Sequence, residues 1–189
     1  MPKLYIIAGC NGAGKTTTSY TVLPEILNCK EFVNADEIAR GLSPFQPETV
    51  SFQAGRIMLS RIKELVQGTN DFAFETTLST KSYVPLIEEA KKNGYSIVLI
   101  FFLLDTVELA KARVRERVEK GGHNIPQDVI ERRYLRGREN FFSLYRVLCD
   151  NWLVYDNSFE LPEIIAIGQS ELTNTIYNYD LWKKFEIAK

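Results

Sequence analysis

Residues 9–16 run Gly-Cys-Asn-Gly-Ala-Gly-Lys-Thr, the spacing GxxxxGKT. Glycines at these places let successive backbone N–H groups turn inward around a polyphosphate, the lysine reaches the β and γ phosphates, and the threonine hydroxyl holds Mg²⁺. The chemistry expected is nucleoside triphosphate binding by Gly9, Asn11, Gly12, Ala13, Gly14, Lys15, Thr16 and Thr17, with Thr16 as the metal ligand. Cys10 and Ala13 stand where the spacing leaves the residue free.

Two further polar clusters follow apolar runs. Phe32-Val33-Asn34-Ala35-Asp36-Glu37 ends in carboxylates, and Phe72-Ala73-Phe74-Glu75-Thr76-Thr77 ends in a glutamate and two hydroxyls. In parallel α/β sheets ligands gather at the carboxyl ends of the strands, so both clusters are expected to face the glycine loop. Two roles stand open for Asp36: capping a helix that starts at Glu37, or accepting the proton of an acceptor hydroxyl opposite the γ phosphate. Glu75 leaves an apolar strand at its polar end, where an unpartnered carboxylate is costly. Binding Mg²⁺ through water or holding the acceptor, with Thr76 and Thr77 beside it, is favoured over a solvated acid. Asp105 closes the apolar run Ile97 to Leu104, but Asp105-Thr106-Val107-Glu108 has the form of a capped helix start.

Residues 111–139 carry nine Lys/Arg against five Asp/Glu. Charge runs on helices are most often solvated faces, but these flank Gly121-Gly122-His123-Asn124-Ile125-Pro126, a loop-forming stretch between two helices. The pattern suits a lid, with Arg113, Arg117 and Lys120 on one face of its first helix and Arg132, Arg133 and Arg136 at the start of its second. Guanidinium groups folded over the glycine loop would stabilise charge on a transferring phosphoryl group, an effect of ~10³ or more in rate. Arg117, Arg133 and Arg136 are the candidates for that catalytic role beside Lys15. His123, the only histidine, is a single imidazole without clustered ligands and is expected to make a lid hydrogen bond, not a metal site.

These groups need a scaffold, and the chain supplies one by alternating apolar runs with helical patterns, the signature of an α/β sheet protein. Strands are expected over 3–8, 32–35, 72–76, 96–104, 152–156 and 164–168, and helices near 15–27, 47–67, 80–93, 106–120, 126–148 and 171–186. Leu4 to Ala8 is the buried strand that delivers the glycine loop, and the helix from Lys15 points its N-terminus at the phosphates. Val50, Ala54, Ile57, Met58, Ile62 and Leu65 recur on one helical face behind Pro47, a packing pattern. Gly94 after Lys91-Lys92-Asn93 stops a helix.

With 189 residues, 45% of them hydrophobic, the chain is long enough to bury one sizeable core, so residues 1–189 are expected to form a single domain. A net charge of −1 argues against a dedicated electrostatic nucleic-acid binder. The longest apolar run, Ile97 to Leu104, is far short of the ~18 residues of a membrane span and is expected to be a central strand. Cys10, Cys29 and Cys149 lack metal-ligand spacing and follow no signal peptide, which suits reduced thiols in the cytoplasm.

Taken in order, GCNGAGKTT, FVNADEIA, FAFETTLS, GGHNIPQDVIERRYLR and LVYDNS resemble the zeta-toxin family of P-loop kinases, a resemblance that spans roughly residues 4–158. It implies a P-loop NTPase fold with a kinase-type parallel sheet of strand order 2-3-1-4-5, flanked by helices and covered by a helical lid. It also implies ATP and Mg²⁺ as cofactors, a hydroxyl of UDP-N-acetylglucosamine as acceptor, and a small antitoxin as partner. By resemblance, Lys15 and Thr16 hold nucleotide and Mg²⁺, Asp36 is the general base and Glu75 a substrate-side carboxylate. The lid is similar to that of short family members, and Cys10 stands where many members carry proline. Tyr155-Asp156-Asn157-Ser158 matches a family signature whose residues spell a turn.

The expectation is an ATP-dependent kinase for a small-molecule hydroxyl, with no membrane association. The same chemistry on another sugar, an antibiotic or a polynucleotide 5′ end is one alternative, and a nucleotide-binding regulatory module with slow hydrolysis is another.

Overall fold

A computed structural model describes residues 1–122 and 124–187, so His123 and its expected lid hydrogen bond lie outside the described residues. In chain order the elements are β1 (Lys3–Gly9), α1 (Lys15–Thr21) with a π-helical turn (Val22–Ile26), β2 (Glu31–Val33) and α2 (Ala35–Leu42). A 3₁₀ turn (Pro47–Val50) leads into α3 (Ser51–Val66), then β3 (Phe72–Thr76), α4 (Val84–Lys92), β4 (Ser96–Leu103) and α5 (Val107–Glu119). The chain continues through α6 (Gln127–Asn140), a second π-helical turn (Phe141–Tyr145), α7 (Arg146–Leu148), β5 (Asn151–Asp156), β6 (Glu163–Gln169), β7 (Leu172–Ile176) and α8 (Tyr179–Ile187).

The sheet is ordered β2-β3-β1-β4-β5-β6-β7. Its first five strands are parallel and reproduce the 2-3-1-4-5 order. It then continues past that order through β6 and β7, which are antiparallel. Successive side chains of a strand point to opposite faces, and β1 divides the core accordingly. Leu4, Ile6 and Ala8 join a layer with Met58 and Ile62 of α3, Leu86 and Ile87 of α4, and Trp182 and Phe185 of α8. Tyr5 and Ile7 join the opposite layer with Ala110 and Val114 of α5 and Ile130 and Tyr134 of α6. Both faces of the central strands are covered, which is why β4 reads as an unbroken apolar run.

Several expectations need correction. The stretch 171–186 is not one helix: Leu172–Ile176 forms β7 and pairs antiparallel with β6 before α8 begins. Within α8, Trp182, stacked on Trp152 at 5.6 Å, and Phe185 pack into the core. Helix α2, which the capping reading of Asp36 places at Glu37, starts at Ala35 instead, and strand β2 ends at Val33, not 35, because Asn34 is a helix N-cap. The Asn34 side-chain oxygen accepts from the N–H groups of Asp36 (2.8 Å) and Glu37 (3.3 Å), so the cap is Asn34 and not Asp36. At α5 the cap is Thr106, whose hydroxyl accepts from Leu109 N–H, one residue beyond Asp105. On α3 the buried face is Ala54, Met58, Ile62 and Val66, while Ile57 is exposed. Gly94 does end α4: its N–H bonds to the Lys91 carbonyl and the Tyr95 N–H to the Ala90 carbonyl.

Candidate active site

Parallel pairing of β1 with β3 sets Ile7 opposite Glu75 and Ala8 opposite Thr76. That register brings the end of β3 alongside the strand residues that lead directly into the glycine loop. Glu75 is the hub of the site. Its Oε1 lies 3.4 Å from Lys15 Nζ, with the two side chains 10% and 6% exposed. Its Oε2 accepts from the Thr16 hydroxyl at 2.7 Å and from the Asn34 amide at 2.9 Å. Lys15 also donates to the Cys10 carbonyl at 3.0 Å. One carboxylate thus touches the lysine and the hydroxyl that the loop sequence provides.

This donor set fits a magnesium nucleotide. Mg²⁺ is usually bound through one or two protein oxygens together with phosphates and water, and Thr16 Oγ1 and the Glu75 carboxylate are hard oxygen ligands side by side. No group of three or more His, Cys, Asp or Glu able to enclose a metal occurs among the described residues. The start of α1 has no side-chain cap, and the first N–H to bond back along the helix is that of Thr18, to the Gly14 carbonyl. First-turn N–H groups without intrahelical acceptors make a slot for an anion.

Beside the loop a cleft of about 190 Å³ is lined by Asn11, Lys15, Asn34, Ala35, Asp36, Glu75, Thr76, Thr77, Ser79, Thr80, Tyr83 and Arg133. Asp36 enters from the first turn of α2, which the Asn34 cap aims at the loop. Arg133 enters from α6 and donates to the Asn11 side-chain oxygen at 3.1 Å. Burial lowers the Arg133 pKa, and the nearby Asp36 carboxylate opposes that shift. The helix carrying Arg133 is pressed onto the chain after β3. Gly137 abuts the Thr77 carbonyl with no room for a Cβ, Asn140 donates to the Leu78 carbonyl, and the Tyr145 hydroxyl donates to the Thr80 carbonyl. A larger cavity of about 890 Å³ lies beside the edge strand β2 and shares only Asn34 with this cleft.

Of the expected residues, Lys15, Asp36, Glu75, Thr76, Thr77, Asn11 and Arg133 meet at the cleft, and Thr16 joins them through Glu75. The Ala13 side chain packs in the core and Thr17 is exposed. Arg117 does not line the cleft: it is half-buried on α5, where its carbonyl accepts from Gly122 N–H. Arg136 is exposed on α6. Asn34, Ser79, Thr80 and Tyr83 were not anticipated as lining residues. An asparagine between an apolar run and Asp36-Glu37 is a recognisable cap signal, whereas nothing local marks Tyr83.

A glycine loop of this spacing at the carboxyl end of β1, in a parallel core ordered 2-3-1-4-5 with helices on both faces, defines the P-loop kinase fold. Within that class the chain belongs to the zeta-toxin family, which it matches over residues 1–161. An uncharacterized protein of Haemophilus influenzae is 30% identical over 132 residues, covering 70% of this chain and 92% of that protein. The structure of the AvrRxo1-ORF1:-ORF2 complex with ATP superposes with a TM-score of 0.75 at 18% identity over 98% of this chain, which spans 63% of that longer one. A structure from the PezAT chromosomal toxin-antitoxin system of Streptococcus pneumoniae superposes with a TM-score of 0.66 at 16% identity, over 100% of this chain and 84% of that one. No described helix is long and apolar enough to cross a membrane.

Proposed function

We propose that the chain is an ATP-dependent, Mg²⁺-requiring kinase that transfers the γ-phosphoryl group to a hydroxyl of a small molecule, with UDP-N-acetylglucosamine as the leading acceptor. One observation carries the reading: Lys15, Asp36, Glu75 and Arg133, delivered by four different elements, line a single cleft at the glycine loop. Asp36 takes the proton of the acceptor hydroxyl as its oxygen bonds to the γ phosphorus, the bond to the β–γ bridging oxygen breaks, and ADP departs. Lys15 and Arg133 neutralise charge on the phosphates, while α6 excludes water from above. Thr16 and Glu75 would hold Mg²⁺, which would supply positive charge to offset that of the phosphates.

The size of the cleft favours a second acceptor class under the same chemistry. At about 190 Å³ it is smaller than the roughly 300–1,000 Å³ of sites for drug-sized ligands, and its hydroxyl-rich wall suits a lone sugar or polyol. Family membership and the pneumococcal toxin-antitoxin match support an antitoxin as the protein partner.

The test is incubation with Mg-ATP and UDP-N-acetylglucosamine, beside Asp36→Asn, with mass spectrometry of the sugar nucleotide. A phosphorylated product that depends on Asp36 supports the leading acceptor. ATP binding without that product moves the search to smaller polyols, and absence of nucleotide binding sinks the proposal.

A further inference from the structure

The turn Tyr155-Asp156-Asn157-Ser158 ends β5 directly behind the glycine loop, and almost every polar group in it is held. Buried Asp156 accepts from the Ser158 N–H and hydroxyl. The Ser158 hydroxyl accepts from the Asp105 N–H at 2.8 Å, and the Asn157 N–H bonds to the Leu103 carbonyl at 2.9 Å. The Arg113 guanidinium forks across the two remaining carbonyls, of Asn157 at 2.7 Å and Ser158 at 2.9 Å. The turn is therefore rigid, and it presents one group forward. Asn157, 8% exposed, donates its side-chain amide to the Ala13 carbonyl at 2.7 Å.

A trans peptide points its C=O and the following N–H in opposite directions. Fixing the Ala13 carbonyl toward the turn consequently aims the Gly14 N–H away from the turn. Such a brace is needed because Gly14 sits at φ 76°, a conformation glycine adopts freely and also leaves freely. It also explains the glycine. A Cβ at position 14 would collide with the Asn157 amide nitrogen, so the close approach and the backbone angle both exclude a side chain. Arg113 belongs to α5, which packs against the same loop: a Cβ on Gly12 would lie 2.9 Å from the Ala110 carbonyl oxygen and 3.3 Å from Arg113 Cβ.

We propose that Asn157 is a positioning residue for phosphate binding, its amide locking the Ala13–Gly14 peptide so that the Gly14 N–H faces the polyphosphate, with Arg113 holding the turn that aims it. The inference rests on the nucleotide reading above and adds to it a residue that touches no phosphate.

The experiment measures binding of Mg-ATP and of inorganic tripolyphosphate to the wild-type protein, Asn157→Ala and Arg113→Lys by calorimetric titration. The temperature is chosen so that circular dichroism shows each protein folded. Losing the amide donor is expected to weaken both ligands by the same factor, about tenfold for Asn157→Ala, the scale of one hydrogen bond. Arg113→Lys cannot fork across two carbonyls and is expected to weaken both by about threefold; it carries the test alone if Asn157→Ala does not fold. A merely structural role would lower the melting temperature and leave the affinities of the folded protein at wild-type values, which overturns the proposal. Weakened ATP with unchanged tripolyphosphate overturns it too, by placing Asn157 at the base or ribose. A wild-type protein that binds neither ligand refutes the nucleotide reading itself, a failure distinct from the other two.

Discussion

Substituting Glu75 by Gln exchanges one oxygen for an amide and removes one charge where Lys15, Thr16 and Asn34 converge. In the resting protein Glu75 and Lys15 form a nearly buried pair at 3.4 Å, and deleting one member of such a pair costs about 3–5 kcal/mol when the other is left uncompensated. Lys15 keeps the Cys10 carbonyl as acceptor and opens on the cleft, so the expected loss is smaller, about 2–3 kcal/mol, seen as a fall of roughly 4–12 °C in melting temperature. Nucleotide binding should respond with opposite signs in its two forms. Without metal, the wild-type carboxylate competes for Lys15 and repels the triphosphate. At a separation of ~6 Å and an effective dielectric of ~40 the repulsion is about 1.4 kcal/mol, so Glu75→Gln should bind metal-free ATP about tenfold more tightly at low salt. With Mg²⁺ the variant lacks an anionic oxygen beside Thr16, and the strengthening of ATP binding by Mg²⁺ should largely vanish.

The assay is a titration of ATP in EDTA and in excess Mg²⁺ for both proteins, with thermal unfolding alongside. Reversal of the metal effect, tighter without and weaker with, is the signature of a carboxylate that faces both phosphate and metal. A variant whose metal-free affinity is unchanged, and to which Mg²⁺ still adds its wild-type increment, would refute the placement of Glu75 against the nucleotide, whatever its stability.

Asp36→Asn should leave Mg-ATP affinity within about twofold and lower kcat by ~10²–10⁴, measured as acceptor-dependent ADP release. Arg133→Gln should lower kcat by roughly 10³, whereas Arg136→Gln, at an exposed position, should keep activity within about twofold; equal losses would contradict the assignment of the clamp. Asn34→Asp keeps a side-chain oxygen that caps α2 but sets a second carboxylate against Glu75, so Mg²⁺ dependence should shift while helix content by circular dichroism holds. Burial pushes the Cys10 and Cys29 thiols up to about 11 from an ordinary 9.0, opposed at Cys10 chiefly by the Lys15 charge and at Cys29 by a hydrogen bond with the Glu31 backbone. The unfolded chain then gives up these protons first, so their contribution to stability is full below pH 9 and is lost as the pH rises toward 11, by up to about 1.4 kcal/mol per unit for each thiol. A melting temperature that stays level across that window would contradict it, as would rapid alkylation of the native thiols at pH 8.

Local spacing made the phosphate side of the site legible. The glycine loop needs only eight consecutive residues to specify its backbone, and Leu4 to Ala8 announces the strand that delivers it. Glu75 was legible as a carboxylate at a strand end, but its partners were not. They depend on the β1–β3 register, and a pairing between residues nearly seventy positions apart leaves no trace in either segment alone. Arg117, Arg133 and Arg136 are not told apart by the sequence for a related reason. All three lie on charged helices, and what selects Arg133 is the close seating of α6 on the chain after β3. One local signal did exist: Gly137 follows Arg133 by one helical turn, and a residue without a side chain on that face marks where the helix touches something. Strand β7 is not legible because it is a mostly exposed strand at the edge of the sheet, without the alternating burial that marks a half-covered strand, and its pairing with β6 is what makes it one.

Asn34 ties two parts of the candidate site together through a single side chain. Its oxygen accepts from the N–H groups of Asp36 and Glu37 and so starts α2 at the residue that puts Asp36 in the cleft. Its nitrogen donates to Glu75 at 2.9 Å and approaches the Thr16 hydroxyl at 3.4 Å. On the proposed mechanism the carboxylate that activates the acceptor and the oxygens that hold the metal are thereby tied to the same planar amide, whose two ends cannot move independently. An in-line phosphoryl transfer depends on the distance between the group that activates the acceptor and the groups that hold the donor, and small errors in that distance are costly in rate. An aspartate would cap α2 equally well but has no hydrogen to offer Glu75, and a serine would have to accept and donate through one short-reaching oxygen. The amide divides the two tasks between its oxygen and its nitrogen, which is the physical reason for asparagine between β2 and Asp36.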